Sequence, residues 1–226
     1  MKVQSKPKIG YGVYTAHDAA FIFGLKQQKV NKWLDLYWSG KFAGKLSANE
    51  EYVWRDFPSK GFNFFTLIEL FTVYQLRSLG VSFQKIALAR NKLGSHLKSQ
   101  YPFATKNILS DGKRIFYEEN EDTLLTLDQS DQTALKEILK RFMQKLDFDS
   151  STDFANRYWP LGKEASIVVD PKHAFGKPVV NRTNITTESL FSLFEGGESK
   201  LSISAMYSIS EKEVEEAIRF ENRKVA

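Results

Sequence analysis

The spacing of apolar and polar residues divides the chain into helix-forming blocks separated by turn residues. Residues 62–80, "FNFFTLIELFTVYQLRSLG", are strongly apolar over a helical length and stop at Gly80. Ser82 is placed to cap a following helix from Phe83 to about Lys98, with Ile86, Ala89, Leu93 and Leu97 on one stripe. Upstream, Thr15 opens a helix that ends near Phe23. Its hydroxyl can cap the first amides, and Asp18, three residues on, completes a capping box. Gly24 permits a positive φ at the turn, and a second helix is predicted over 27–37. Then "SGKFAGK" (39–45) is turn-rich and "EYVWRDF" (51–57) suits a short strand, the pattern of a β wing after a helix pair.

The texture changes at Tyr101-Pro102. "KNILSDGKRIFYE" holds two β-prone runs around Asp111-Gly112, a hairpin signal, and "TLLTLD" (123–128) can add a third strand. Residues 131–146 read as a helix with Leu135, Ile138, Leu139, Phe142 and Leu146 inward. "DFDSSTDFANRYWPLGK" is polar and reads as a loop and domain boundary. A strand follows at 166–169, then three short helices near 187–195, 201–206 and 211–223, broken by Gly196-Gly197 and residues 208–210. Ser210 and Glu213 form another capping box. The expected class is mainly α with small β hairpins (α+β). Three parts are expected: 1–100, a connecting or dimerisation region of hairpin and helix at 101–150, and a trihelical module at 151–226.

Composition narrows the functions. The chain has 226 residues, 42% of them hydrophobic, and no cysteine, which removes disulfides and thiolate metal sites. There is no apolar run of membrane-spanning length, and "MKVQSKPKIGYGV" lacks a signal peptide's apolar core. These features lead to the expectation of a cytoplasmic protein without a membrane partner. The net charge of +5 is unevenly spread. Residues 1–100 carry 15 Lys/Arg against 6 Asp/Glu, and residues 101–226 carry 17 against 21. A basic first half attracts polyanions through counterion release; solvated lysines on helix faces are the plainer explanation.

The stretch "AAFIFGLKQQKVNKWL" (19–34) meets the steric demands of a helix-turn-helix. Ala20 is small enough for a close helix crossing, Gly24 can turn left-handed, Leu25 is the buried turn residue, and Val30 and Trp33 anchor the second helix. Outward lie Lys26, Gln27, Gln28, Lys29, Asn31 and Lys32, the candidate DNA-binding residues. Gln and Asn can pair with adenine edges; Lys can hold phosphate or guanine. Two ordinary packed core helices would leave the same polar face.

The order helix, turn, helix, wing, long apolar helix, Ser-capped helix resembles the MerR-like winged helix-turn-helix over about residues 11–98, with "GVSFQKIALARNKL" (80–93) as the segment after the wing. The wing is longer and poorer in arginine than is usual there, and its candidate contacts are Lys41, Lys45 and Arg55. The last part resembles the trihelical DUF433 family over about residues 166–221. The matching residues are Asp170-Pro171, Gly176 to Val180, Thr183, Ile185-Thr186, Gly197-Glu198-Ser199, Tyr207, Ser210, Val214, Ala217 and Ile218. Arg182 stands where that family usually has glycine, and Asn184 where it has arginine. A MerR-like head on a DUF433 tail resembles antitoxins of type II toxin–antitoxin pairs, of the VapB kind. The resemblance implies a homodimer that binds double-stranded operator DNA, represses its own operon and blocks a PIN-like ribonuclease toxin. Three short helices bury little area alone, so the tail is expected to lean on its own N-terminal part, a second copy or a partner. A plain transcription regulator whose tail senses a ligand or only dimerises is the main rival. A third arrangement would put DNA on the tail through Lys177, Arg182 and Lys200.

Catalytic chemistry is not evident. His17, His96 and His173 are far apart, and none has a ligand-type residue three or four positions on. Glu211, Glu213, Glu215 and Glu216 read as a solvated helix face, although helical spacing also allows an acid/base or metal site. Asp147, Asp149 and Asp153 lack the glycine and distal glutamate of a calcium loop. Phe62, Phe64 and Phe65 read as core rather than base-stacking rings. No Walker loop, dinucleotide fingerprint or nucleophile elbow is present. The expectation is therefore a binding protein without a cofactor, not an enzyme.

Overall fold

The computed structural model describes residues 10–35, 61–106, 108–110, 115–120, 123–126 and 144–223. The expected wing, the end of the second helix beyond residue 35, the Asp111-Gly112 turn and most of the 131–146 helix lie outside them. Among the described residues the protein is mixed α and β, with seven α-helices and three small sheets.

A two-stranded pair, β1 (Tyr14–Thr15) with β2 (Gly61–Phe62), precedes α1 (Ala16–Phe23) and α3 (Phe64–Ser78), and α2 (Gln27–Trp33) follows α1. The capping box of α1 is present: the Thr15 hydroxyl accepts from the Asp18 amide at 3.2 Å, and the Asp18 carboxylate accepts from the Thr15 amide at 2.7 Å. Asn63 caps α3 by accepting from the Thr66 amide at 2.9 Å.

Helix α3 is buried on nearly every side, as its continuous apolar sequence requires. That burial includes Glu69, which the pattern does not foretell. Its carboxylate takes the Arg90 guanidinium in a forked pair, with Arg90 Nη2 at 2.6 Å and Nε at 3.1 Å, and also accepts the Phe103 amide at 3.0 Å. Arg90 comes from α4 (Phe83–Leu97), capped by Ser82 as expected, with Ile86, Ala89 and Leu93 buried. A further Arg90 bond to the Gln100 carbonyl, at 2.7 Å, ties the end of this region down.

Next, β3 (Ile108–Ser110), β4 (Ile115–Asn120) and β5 (Thr123–Thr126) form an antiparallel sheet in sequence order, as the hairpin signal and third run predict. The following stretch departs from expectation. Leu146 belongs to a strand, β6 (Leu146–Phe148), rather than a helix end, and the polar run after it is not a loop throughout. It contributes β7 (Ala155–Tyr158), which pairs with β6 and, through Tyr158 and Val169, with β8 (Ile167–Val169); β9 (Pro178–Val180) completes a four-stranded antiparallel sheet. The strands are too short and polar to show a period of two. Their apolar residues are spent on the head: Leu146, Ala155, Tyr158 and Val169 share a buried cluster with α1, α2 and α3. The Tyr158 ring lies 5.2 Å from that of Phe71 and 5.7 Å from that of Phe23.

The tail ends in α5 (Thr187–Glu195), α6 (Lys200–Tyr207) and α7 (Glu211–Glu221), N-capped by Thr186, Ser199 and Ser210. The Ser210–Glu213 capping box is present. Their core of Leu190, Ile203, Val214, Ala217 and Phe220 is small, and Phe21 of α1 packs against it. Its own N-terminal part is thus one surface the tail leans on. The Phe21 and Phe220 rings meet edge to face at 5.4 Å, and Arg223 stacks on Phe220 at 3.7 Å while donating to the Phe21 carbonyl at 3.2 Å. No helix among the described residues is long and apolar enough to cross a membrane.

Candidate nucleic-acid interface

The turn between α1 and α2 is built from the residue types its geometry needs. Gly24 takes φ 67° and ψ 39°, a left-handed conformation that glycine adopts without a Cβ penalty. The Leu25 amide then bonds the Ala20 carbonyl at 2.7 Å. Ala20, Leu25, Val30 and Trp33 are all buried, so the inward set chosen from sequence is the inward set of the fold.

The outward set is equally legible. Lys26, Gln27, Gln28, Lys29 and Lys32 are exposed, and Asn31 is half-buried. Lys26 occupies the N-cap of α2 without a side-chain cap bond, and the first helical turn contains no acidic residue. The Lys29 ammonium lies over two rings, 5.3 Å from the centroid of Trp33 and 5.0 Å from that of Tyr74. That cation–π contact orients the Lys29 head against the core edge, whereas Lys26 and Lys32 have no such restraint among the described residues. The result is a short helix with a cationic, amide-rich face beside a fixed hydrophobic anchor. Such a face can supply phosphate contacts and base-edge hydrogen bonds.

The tail offers cations that are largely spoken for. Lys177 pairs with Glu188 at 2.8 Å, which raises the lysine pKa, and Lys200 reaches Glu215 at 3.7 Å. Arg182, standing where the DUF433 resemblance expects glycine, takes φ 64°, and Asn184 faces His173 at 2.9 Å between Oδ1 and Nδ1. The histidine is therefore engaged in holding its loop. Asp147 accepts from Trp159 Nε1 at 2.8 Å and pairs with Lys163 at 2.6 Å. Asp149 closes a turn by accepting from Ser151 and Thr152, and those bonds hold its carboxyl below the usual range. Asp153 pairs with Lys106. These three aspartates do not converge on one point.

Sequence reasoning missed the contacts that join head to tail. Tyr14, buried to 1% exposure, presses its ring and hydroxyl against Gly12 and Gly176, and the Val13 amide donates to the Phe175 carbonyl at 3.0 Å. The glycine of the DUF433 motif, Gly176, was visible in sequence; its partner across the molecule was not.

Comparison with known proteins places the tail. Residues 167–220 match the family described as "Protein of unknown function (DUF433)", in agreement with the resemblance read from the tail. A Mycobacterium tuberculosis (strain ATCC 25618 / H37Rv) protein named "Putative antitoxin VapB45" is 21% identical over 168 residues, 69% of each sequence. The X-ray crystal structure of Rv2018 from Mycobacterium tuberculosis superposes with a TM-score of 0.66, covering 94% of this chain and 100% of that one at 14% identity. The fold is therefore one already seen in a solved protein.

Proposed function

We propose that the protein is the antitoxin of a type II toxin–antitoxin pair. It binds and neutralises a PIN-like ribonuclease toxin and, as a homodimer, represses its own operon through sequence-specific contacts to double-stranded DNA. It works in the cytoplasm and by binding rather than catalysis. The observation that carries this reading is the similarity to an antitoxin-named protein across 69% of both sequences, beside the separate DUF433 match. The exposed Lys26, Gln27, Gln28, Lys29, Asn31 and Lys32 on α2 support the DNA contact, in an MerR-like winged arrangement. The net-acidic second half of the chain, residues 101–226, would complement a basic, RNA-binding toxin surface.

The test is co-expression with the neighbouring reading frame, a tag being placed only on this protein. Growth arrest by the neighbour alone, rescue by this protein and co-purification are the expected result. A harmless neighbour that does not co-purify removes the toxin from the reading.

A further inference from the structure

Phe175 stands in solvent on a backbone that resists the position. It is 79% exposed, and it follows Ala174 in a left-handed conformation, with φ 44° at Ala174 and φ 56° at Phe175. A bulky L-residue seldom takes such angles, and two in succession persist only where the surroundings over-determine them. Here they do. The Phe175 carbonyl accepts the Val13 amide at 3.0 Å, the Gly176 amide donates to the His173 carbonyl at 2.8 Å, and the Lys177 amide donates to the Ala174 carbonyl at 3.1 Å. Ala174 also packs against Trp159, Val168 and Val179. The side chain of Phe175 is therefore a knob on a rigid base, and little ordering is left for a partner to impose.

A hole lies beside the knob. Where the head meets the four-stranded sheet, a cavity of about 360 Å³ opens, with Tyr11, Phe65 and Phe154 among its walls. Pro171 and Lys172, on the same loop as Phe175, line it too. The exposed Phe175 does not fill the cavity of its own chain. We propose that a second copy fills it: Phe175 of each protomer inserts into the cavity of the other about a two-fold axis. A knob and a hole side by side on one face are self-complementary under such an axis, which brings each knob to the other copy's hole. Aromatic walls receive a phenyl ring by edge and face contacts. The lining carries one cation, Lys172, and one carboxylate, Asp149, so two copies meet there without net repulsion. Two inserted rings of about 150–250 Å² each fall short of the roughly 1,200 Å² of a standard interface, so a dimer held mainly by them dissociates on dilution. The inference rests on the homodimer reading above and names its contact.

Sedimentation equilibrium on the full chain, over concentrations up to about 100 μM, tests it. The parent is expected to be a reversible dimer. Phe175→Gly suits the left-handed backbone and should keep the fold, with an unchanged or higher Tm, while dimerisation weakens about tenfold or more. Thr152→Trp, at an exposed position of the cavity wall, should obstruct the hole and weaken dimerisation likewise. Mixed, these two variants should associate more tightly than either does with itself, because one intact knob meets one intact hole. A parent that stays monomeric overturns both this inference and the homodimer reading. A dimer of unchanged affinity in either variant, or a mixture that associates no better than its components, overturns this inference and leaves the homodimer reading standing. Circular dichroism checks the fold of each variant, and Phe175→Gly decides alone if Thr152→Trp does not fold.

Discussion

Tyr14 and Gly176 meet so closely that a β-carbon on Gly176 would lie 2.1 Å from the tyrosine hydroxyl oxygen and 2.6 Å from the ring carbon bearing it. Gly176 also holds φ +89°, so a side chain there is strained by its own backbone as well as by its neighbour. The Gly176→Ala variant should lose at least about 2 kcal/mol in urea denaturation. Tyr14→Phe removes the nearer of the two clashing atoms and should recover part of that loss in the double variant. The single Tyr14→Phe change should be neutral or stabilising, because it deletes a buried hydroxyl without a partner among the described residues. Strictly additive losses would show that the two residues do not press on each other.

The Glu69–Arg90 pair makes a second prediction. Both side chains are fully buried, and the carboxylate also holds the Phe103 amide. Glu69→Gln takes a counter-charge away from a buried guanidinium and should cost roughly 3–5 kcal/mol. Replacing both partners with apolar residues, Glu69→Leu with Arg90→Met, should be milder than the single change. A double-mutant cycle by denaturant unfolding measures the coupling, and a coupling near zero would contradict the geometry.

Glu221 should make the tail sensitive to alkaline rather than acidic shifts. Burial raises its carboxyl pKa above the ordinary range, a push that the Thr187 hydroxyl bond and the Arg223 charge only partly offset. A native state with the higher pKa binds the proton more tightly. Its stability contribution is complete below the unfolded value of about 4.3 and is lost as pH rises through the folded value. Glu221→Gln should therefore raise the Tm at pH 7–8 and give little gain near pH 4. A Tm that falls at pH 7 would mean that the attraction to Arg223 outweighs burial.

The proposed DNA contact separates Gln28 from Lys29. Gln28→Ala should reduce discrimination between operator and unrelated DNA by roughly 1–3 kcal/mol, whereas Lys29→Ala should weaken all sequences and flatten the salt dependence. Lys29→Arg keeps the charge and the ring contact and should bind nearly as the parent does. Gel-shift titrations at several salt concentrations read all three variants. Equal losses for every sequence in both alanine variants would remove α2 from base recognition.

Much of the helical framework was legible because its punctuation is local. Thr15, Ser82 and Ser210 announce helix starts, Gly24 announces the left-handed turn, and the inward positions of α2 follow from size alone. The β6–β7 pair was not legible. Ala155–Tyr158 reads as polar because Asn156 and Arg157 interrupt its apolar ends, and Tyr158 earns its burial only from Phe23 and Phe71 far away in sequence. Glu69 was hidden for the opposite reason: one carboxylate in a long apolar helix leaves the pattern intact, and its partner lies 21 residues on. The candidate DNA face could be read residue by residue, while the cavity could not, since it exists only where segments brought together by the fold converge.

The bond from Arg223 to the Phe21 carbonyl spans 202 residues of sequence. During synthesis, α1 and α2 emerge early, yet one flank of α1 is covered only when α7 arrives. Contacts so distant in sequence form late and slowly. A nascent chain thus presents its amide-rich helix with Phe21 still bare, and arrival of α7 closes that hydrophobic surface. The order of translation itself thus sets when each face of α1 can be touched.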